Sequence, residues 1–456
     1  MIRNILWILI VGSLVAPAVR ADDAADINAL KEQLRALDQK VRVLERQREL
    51  EGETAETKAK ETPKITVSNS GLSVSSADSN FVFQLHGLLQ VDNRTFFSDG
   101  NLKGNDGFLL RRARPIFSGT VYKDFDFMFV PDFGGSSVQI VDAYLNYKYQ
   151  PWLQLRAGKF KAPVGLEYLQ SDPVTAFSER SLVSSLVPGR DIGFQIWGEP
   201  LGGRVAYAAG VFNGVGDARN SSNSDFEDHR EFAGRLFLQP FKTSDNFALK
   251  GIGFGVGGSW GNVSSNATGL PNNSGYATDG QQQFFAYTNG VVAAGDHWHL
   301  SPQAYYYVGP FSLLGEYALS GQEVRRGAAK ADLTHKAWQI SAGWVLTGED
   351  ASFTGITPRK PFNPSLNQWG AFQIVGRWSE LDLDNDAFPL FANPLASASD
   401  AKAWAVGLNW YLNKNIKAST SFSRTTFSGG GASTGAPGPV TAQPEEVLFT
   451  RLQLAF

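Results

Sequence analysis

From about Phe81 to Phe456 the chain alternates with a period of two, and this constrains its fold more than any other feature. In the closing stretch "VLFTRLQLAF", Leu448, Thr450, Leu452, Leu454 and Phe456 share one face, and Phe449, Arg451, Gln453 and Ala455 share the other. Trp404, Val406, Leu408, Trp410 and Leu412 likewise oppose Gly407 and Asn409. Trp338, Ile340, Ala342, Trp344 and Leu346 oppose Gln339, Ser341 and Gly343, and Phe372, Ile374 and Trp378 oppose Gln373, Arg377 and Ser379. A soluble sandwich alternates too. Here, however, the strands are long, roughly ten residues, which suits a tilted crossing of a bilayer. Aromatics gather near strand ends, and tight turns ("YQPW", "EPLGG", "YLNKN") alternate with long polar loops. About sixteen strands can be drawn, the first at 81–97 and the last at 445–456. The expected fold is all-β: a 16-stranded antiparallel transmembrane β-barrel, closed so that no unpaired edge meets lipid.

Long loops are expected at 161–189, 214–228, 262–297, 320–334, 381–400 and 428–444. Residues 348–368 break the rhythm, being long yet on the side of the tight turns. The region 249–310 is the hardest to divide, because "QQQFFAYTNGVV" also reads as a strand.

Residues 1–21 have a charged start, an apolar run too short to span a bilayer, and small residues at Ala16, Ala18 and Ala21. They read as a secretory signal peptide. Residues 22–50 then carry Ile27, Leu30, Leu34, Leu37, Val41 and Leu44 in an a/d seam, a coiled-coil helix that implies partner chains. A polar linker is expected over 51–80, with the barrel over 81–456. The chain has no Cys, which excludes disulfides and Cys-based zinc sites. With 41 Lys and Arg against 44 Asp and Glu, nucleic acid is not the expected partner, and any basic function must be local.

The local basic clusters lie in "LLRRARPIF" and "LRAGKFKAPVGLE". Counting parity back from Phe125, Phe127 and Phe129 puts Phe117 and Val121 toward lipid and Arg112 and Arg114 toward the lumen, with Arg111 at the strand's outer boundary. A cation on the lipid face near the midplane costs about 2–4 kcal/mol, so the inward orientation is the tolerable one. Arg156 shares the inward face of Gln154, while Lys159 and Lys161 lead into a loop of about thirty residues, long enough to be functional. Two readings stand side by side. The arginines balance Asp124, Asp126 and Asp142 across the lumen, or they bind an anion.

"GFLLRRARPIFSG", "LRAGKFKAPVGLE", "FSERS" followed by "PGRDIGFQIWG", and "AAGVFNGVGD" together resemble the phosphate-selective porin O and P family. The resemblance implies a trimeric outer-membrane channel narrowed by inward-folded loops, with an arginine ladder leading to the constriction and lysines beyond it. By matching motif it assigns Arg112, Arg114, Arg156, Lys159, Lys161, Arg180 and Arg190 to that constriction. The implied function is passive passage of small anions such as phosphate or polyphosphate. Implied partners are outer-membrane lipid and two further copies of the chain, with the helix in the periplasm. The slight excess of acids departs from the densely basic lumen expected of phosphate-selective members. A weakly selective general pore and an envelope-tethering barrel therefore stand as alternatives.

Other motifs carry less. "GIGFGVGG" is not followed by a helix, so it reads as small residues packed in a strand rather than a nucleotide loop. His297 and His299 in "HWH" share a face, but two ligands do not make a metal site, and none is assigned. "LDLDND" reads as solvated loop acids rather than a Ca²⁺ loop. No cofactor and no catalytic constellation is expected.

Overall fold

The computed structural model describes residues 23–97, 104–135, 137–222, 229–264, 275–431 and 441–456. The expected signal peptide lies outside the described residues. Two compact units emerge, dividing between Thr62 and Pro63.

The first unit is a helix, Asp23–Glu61. It runs past the heptad seam into the stretch expected to be a linker, whose Glu, Lys and Ala residues are good helix formers. Helix-breaking Pro63 follows directly. The seam residues Ile27, Leu30, Leu34, Leu37, Val41 and Leu44 are all exposed, so the apolar stripe has no partner within the helix itself.

The second unit begins with a hairpin, Lys64–Ser68 and Gly71–Ser75, whose second strand adds to the start of the barrel through Leu72↔Leu85. This hairpin, too, replaces part of the expected linker. Sixteen strands then form the wall. They are β1 Val82–Phe96, β2 Gly107–Val121, β3 Phe125–Asp132, β4 Gln139–Gln150, β5 Leu153–Lys161, β6 Arg190–Gly198, β7 Val205–Phe212 and β8 Glu231–Leu238. The second half comprises β9 Ile252–Ser264, β10 Val291–Val308, β11 Phe311–Arg326, β12 Ala329–Val345, β13 Ala371–Asp382, β14 Ala398–Tyr411, β15 Ile416–Gly429 and β16 Glu445–Ala455. Each pairs antiparallel with the next, and β16 closes on β1 from Val447↔Phe96 to Ala455↔Leu88.

The wall is inside-out relative to a soluble protein. Leu145, Ile196, Trp260, Ile340, Trp344, Val406 and Leu452 face outward and exposed. Gln90, Asn146, Gln303, Gln339, Gln373, Asn409 and Gln453 are buried inside. A continuous apolar exterior around a polar interior is stable only in lipid. The C-terminal strand shows the period directly: Arg451 and Gln453 are buried while Thr450, Leu452 and Leu454 are exposed. Tyr122, Tyr149, Trp152, Phe247 and Trp369 stand exposed at the tight-turn end, an aromatic girdle.

Three boundaries differ from expectation. Residues 320–334 are not a loop: β11 and β12 run through them to a two-residue turn at Gly327 and Ala328. Val291 and Val292 belong to β10, so that strand begins seven residues before the expected 298. The remaining part of the ambiguous stretch, Gln283–Ala286, pairs with Gly275–Ala277 in a small sheet of its own. The long turn-side connection 346–370 is as expected in length, and it folds into the barrel: Phe353 stacks on Tyr305 at 5.3 Å, and Ala351 and Ile356 bury against Val345 and Tyr411.

Candidate constriction

A β-bulge sets the arginines. Gln90 and Val91 of β1 pair with Arg112 and Leu110 of β2, leaving Arg111 of β2 unmatched. An extra residue breaks side-chain alternation locally. Arg111 and Arg112 therefore both turn inward, followed by Arg114. Arg111 is thus a lumen residue and not the boundary residue that parity suggested.

The connection between β5 and β6, residues 162–189, crosses the lumen. We call it L3. Near its start the Leu166 and Glu167 amides donate to the Glu316 carboxylate of β11 at 2.7 and 3.0 Å. Further on, Asn409 of β14 donates to the Ala176 carbonyl at 2.8 Å and Lys417 of β15 to the Thr175 carbonyl at 3.0 Å. Arg451 of β16 reaches the Ser178 carbonyl at 2.6 Å. L3 thus reaches strands in the second half of the wall from a start at β5.

Three carboxylates pin it. Glu167 Oε2 accepts from Ser181 Oγ at 2.6 Å and from Gln339 Nε2 at 3.0 Å. Asp172 accepts from Arg180 at 2.6 Å and from Arg114, and lies 3.3 Å from Arg112 Nε. Glu179 takes Arg111 at 2.7 Å, Arg94 at 3.0 Å and Arg451 at 3.3 Å. Burial alone would raise the Asp172 carboxyl, but Arg112, Arg180, Lys161 and Arg114 outweigh it and hold it well below its ordinary range. Glu179 is lowered in the same way, with Arg111 the largest opposing influence.

These contacts correct the expected balance. Arg112 and Arg114 answer Asp172 and Asp132, not Asp124, Asp126 and Asp142. Asp126 holds Lys148 at 2.7 Å, and Asp142 holds Arg190 at 3.0 Å.

Below L3, toward the tight turns, lies a cavity of about 530 Å³. Its lining includes Arg114, Arg156, Lys161, Arg190 and Arg235 against Asp142, Asp172 and Glu199, so the cations exceed the carboxylates. Arg156 stands out. Its guanidinium lies 4.5 Å from the Tyr144 ring centre, 4.8 Å from Trp197 and 5.4 Å from Phe160. Trp197 is itself fixed by donating to Asn146 at 2.8 Å. Arg156 makes no ion pair among the described residues, and its Nε is buried without a hydrogen-bond acceptor. Lys161 donates to the Gln170 carbonyl at 2.7 Å, and Arg235 to Gln303 at 2.8 Å, neither to a carboxylate.

The expected residues therefore separate. Arg112, Arg114, Lys161 and Arg180 gather around Asp172. Arg190 sits with Asp142, and Lys159 donates to the Ser221 carbonyl of the next loop at 2.6 Å. Arg156 alone lies in an aromatic cage. Arg94, Arg111, Arg235, Arg377 and Arg451 also point inward and were not expected at the site. For Arg377 and Arg451 the signal was present, since period-two alternation already put both on the polar face.

A closed sixteen-strand barrel, apolar outside, charged inside and crossed by a folded loop, is an outer-membrane porin. The chain belongs to the phosphate-selective porin O and P family, whose model matches residues 83–456. It resides in the outer membrane of a Gram-negative cell. It is similar to Porin O of Pseudomonas aeruginosa, 25% identical over 385 residues, covering 77% of this chain and 84% of that one. Among solved structures, the outer membrane channel DcaP of Acinetobacter baumannii superposes with a TM-score of 0.51 at 11% identity, over 83% of this chain and 98% of that chain. OmpT of Vibrio cholerae in its trimer form gives 0.50 at 9% identity, over 82% and 99%. These two likenesses are of fold.

Proposed function

We propose that the chain is a passive anion-preferring channel whose favoured solutes are phosphate-type oxyanions, with Arg156, Lys161 and Arg235 as the cations that meet the solute. The observation that carries this reading is the environment of Arg156: a half-buried, aromatic-caged guanidinium facing a cavity, with no carboxylate bonded to it. A guanidinium offers forked donors that match phosphate oxygens in pairs. Selectivity of this kind also needs release, and an exchangeable site on an open cavity serves that better than an enclosed one. Arg112, Arg114, Arg180 and Arg190 are already paired, so in this reading they shape the loop and set the local field. Because salt screens charges beyond about 8 Å, only cations at the narrowest part select strongly.

The family membership supports an anion channel more firmly than it supports phosphate over other anions. One observation favours the weaker alternative, a general pore: most lumen arginines are neutralised in place. We further infer a homotrimer in which the exposed heptad seam of the periplasmic helix pairs with its copies; the trimer form of a barrel of like fold supports this. Reversal potentials of purified channels across a KCl gradient test the reading. Anion preference supports it, and cation preference or no preference overturns it.

A further inference from the structure

His297 and His299 both point into the barrel from β10 and are 3% exposed, with ring centres 4.5 Å apart. Sequence supplied these two ligands and no third. The fold brings one from the connection between β7 and β8, residues 213–230. Asp217 Oδ1 lies 2.7 Å from His299 Nε2 and 3.6 Å from His297 Nε2. One donor atom from each residue falls within 4.8 Å of the other two. Tetrahedral zinc with bonds of about 2.0–2.1 Å holds its ligand atoms about 3.3 Å apart, so small side-chain adjustments complete the set.

The surroundings are those of a built metal centre. His299 Nδ1 lies 2.7 Å from Ser259 Oγ, and His297 Nδ1 lies 3.5 Å from Glu231 Oε2. Partners on the far ring nitrogen fix the tautomer and angle of a ligating imidazole. Asp217 Oδ2 accepts from Tyr276 and Ser320, each at 2.8 Å, and the Ser320 hydroxyl also reaches Oδ1 at 3.0 Å, so the carboxylate is held facing the histidines. Glu231 is 3% exposed, and its Oε2, the oxygen facing His297, accepts no hydrogen bond. Two buried carboxylates beside two imidazoles offer the charge and the donor set of a divalent transition metal.

We propose that Asp217, His297 and His299, oriented by Glu231 and Ser259, bind a divalent transition metal of the zinc type. The ion clips the β7–β8 loop to the wall. That loop also supplies the Ser221 carbonyl to Lys159 and the Asn220 oxygen to the Arg190 amide at 2.9 Å, so the clip steadies the mouth-side support of the basic cluster.

The test uses the untagged full chain, folded in detergent, stripped with a chelator and titrated with Zn²⁺ alone, then with Co²⁺ as a spectroscopic probe. One metal per chain and the visible absorption of tetrahedral Co²⁺ are expected. Asp217→Asn and His299→Gln should each weaken binding at least tenfold while the heat-modifiable mobility of the folded barrel is kept. If the native chain takes up no metal, or if both folded variants bind as it does, the cluster is a hydrogen-bonded network only and the proposal fails. Should a variant not fold, uptake by the native chain still decides.

Discussion

Glu179, on the loop that crosses the lumen, accepts Arg111 Nε at 2.7 Å, and Arg111 reaches it because a bulge in β2 turns two consecutive arginines inward. The pair shows what most of the lumen arginines do. They hold a loop across the channel.

Glu179→Gln leaves Arg111, Arg94 and Arg451 without their shared charge. Removing one partner of a buried ion pair costs about 3–5 kcal/mol, because the remaining charge is stranded. The variant should melt at lower temperature and give noisier single-channel currents. Combined with Arg111→Ala, the two losses should be far less than additive in thermal melts. Full additivity would mean that the contact does not anchor the loop.

The loop should tolerate moderate acid. Asp172 and Glu179 have folded pKa values below their unfolded ones. Such groups contribute stability that is present above the unfolded value, about 4, and is lost as pH falls through the folded value. Conductance and current noise measured at pH 7 and pH 5 should therefore match as far as this loop is concerned. Loop-dependent noise that rises between those values would contradict the assignment, and recordings of Glu179→Gln identify its signature.

The register places Leu145 of β4 toward lipid, 63% exposed near the middle of its strand. Leu145→Arg should destabilise the barrel by about 2–4 kcal/mol, read by urea titration in bilayers. An effect below about 1 kcal/mol would place this face elsewhere.

Deleting residues 23–61 removes the helix and its exposed seam but none of the barrel wall. Conductance per barrel should persist, and resistance of the oligomer to SDS should fall. Loss of conductance in a folded, deleted barrel would show that the helix is part of the channel.

Much of this was legible in sequence, and the reasons are physical. Sixteen strands and their faces follow from period two, because lipid and lumen demand opposite chemistry on alternate residues. The signal fades where a strand rises into water and both faces are polar, as in "SGQEVRRGAAKADLT", which was expected to be a loop and is β11 and β12. Arg111 was misplaced because a bulge adds one residue and parity cannot see it. The partners of Arg112 and Arg114 were not legible either, since Asp172 meets them only after its loop has folded back across the barrel. His297 and His299 were visible as a pair, while Asp217 is about eighty residues away in sequence and is placed by the topology.

The most direct test is block of chloride current by millimolar phosphate, in the native channel and in Arg156→Ala. The native channel should be anion-selective and blocked, and the variant should need at least tenfold more phosphate, about 1.4 kcal/mol of lost binding. An unblocked native channel, or a variant blocked equally well, would contradict the assignment of Arg156 as the anion site.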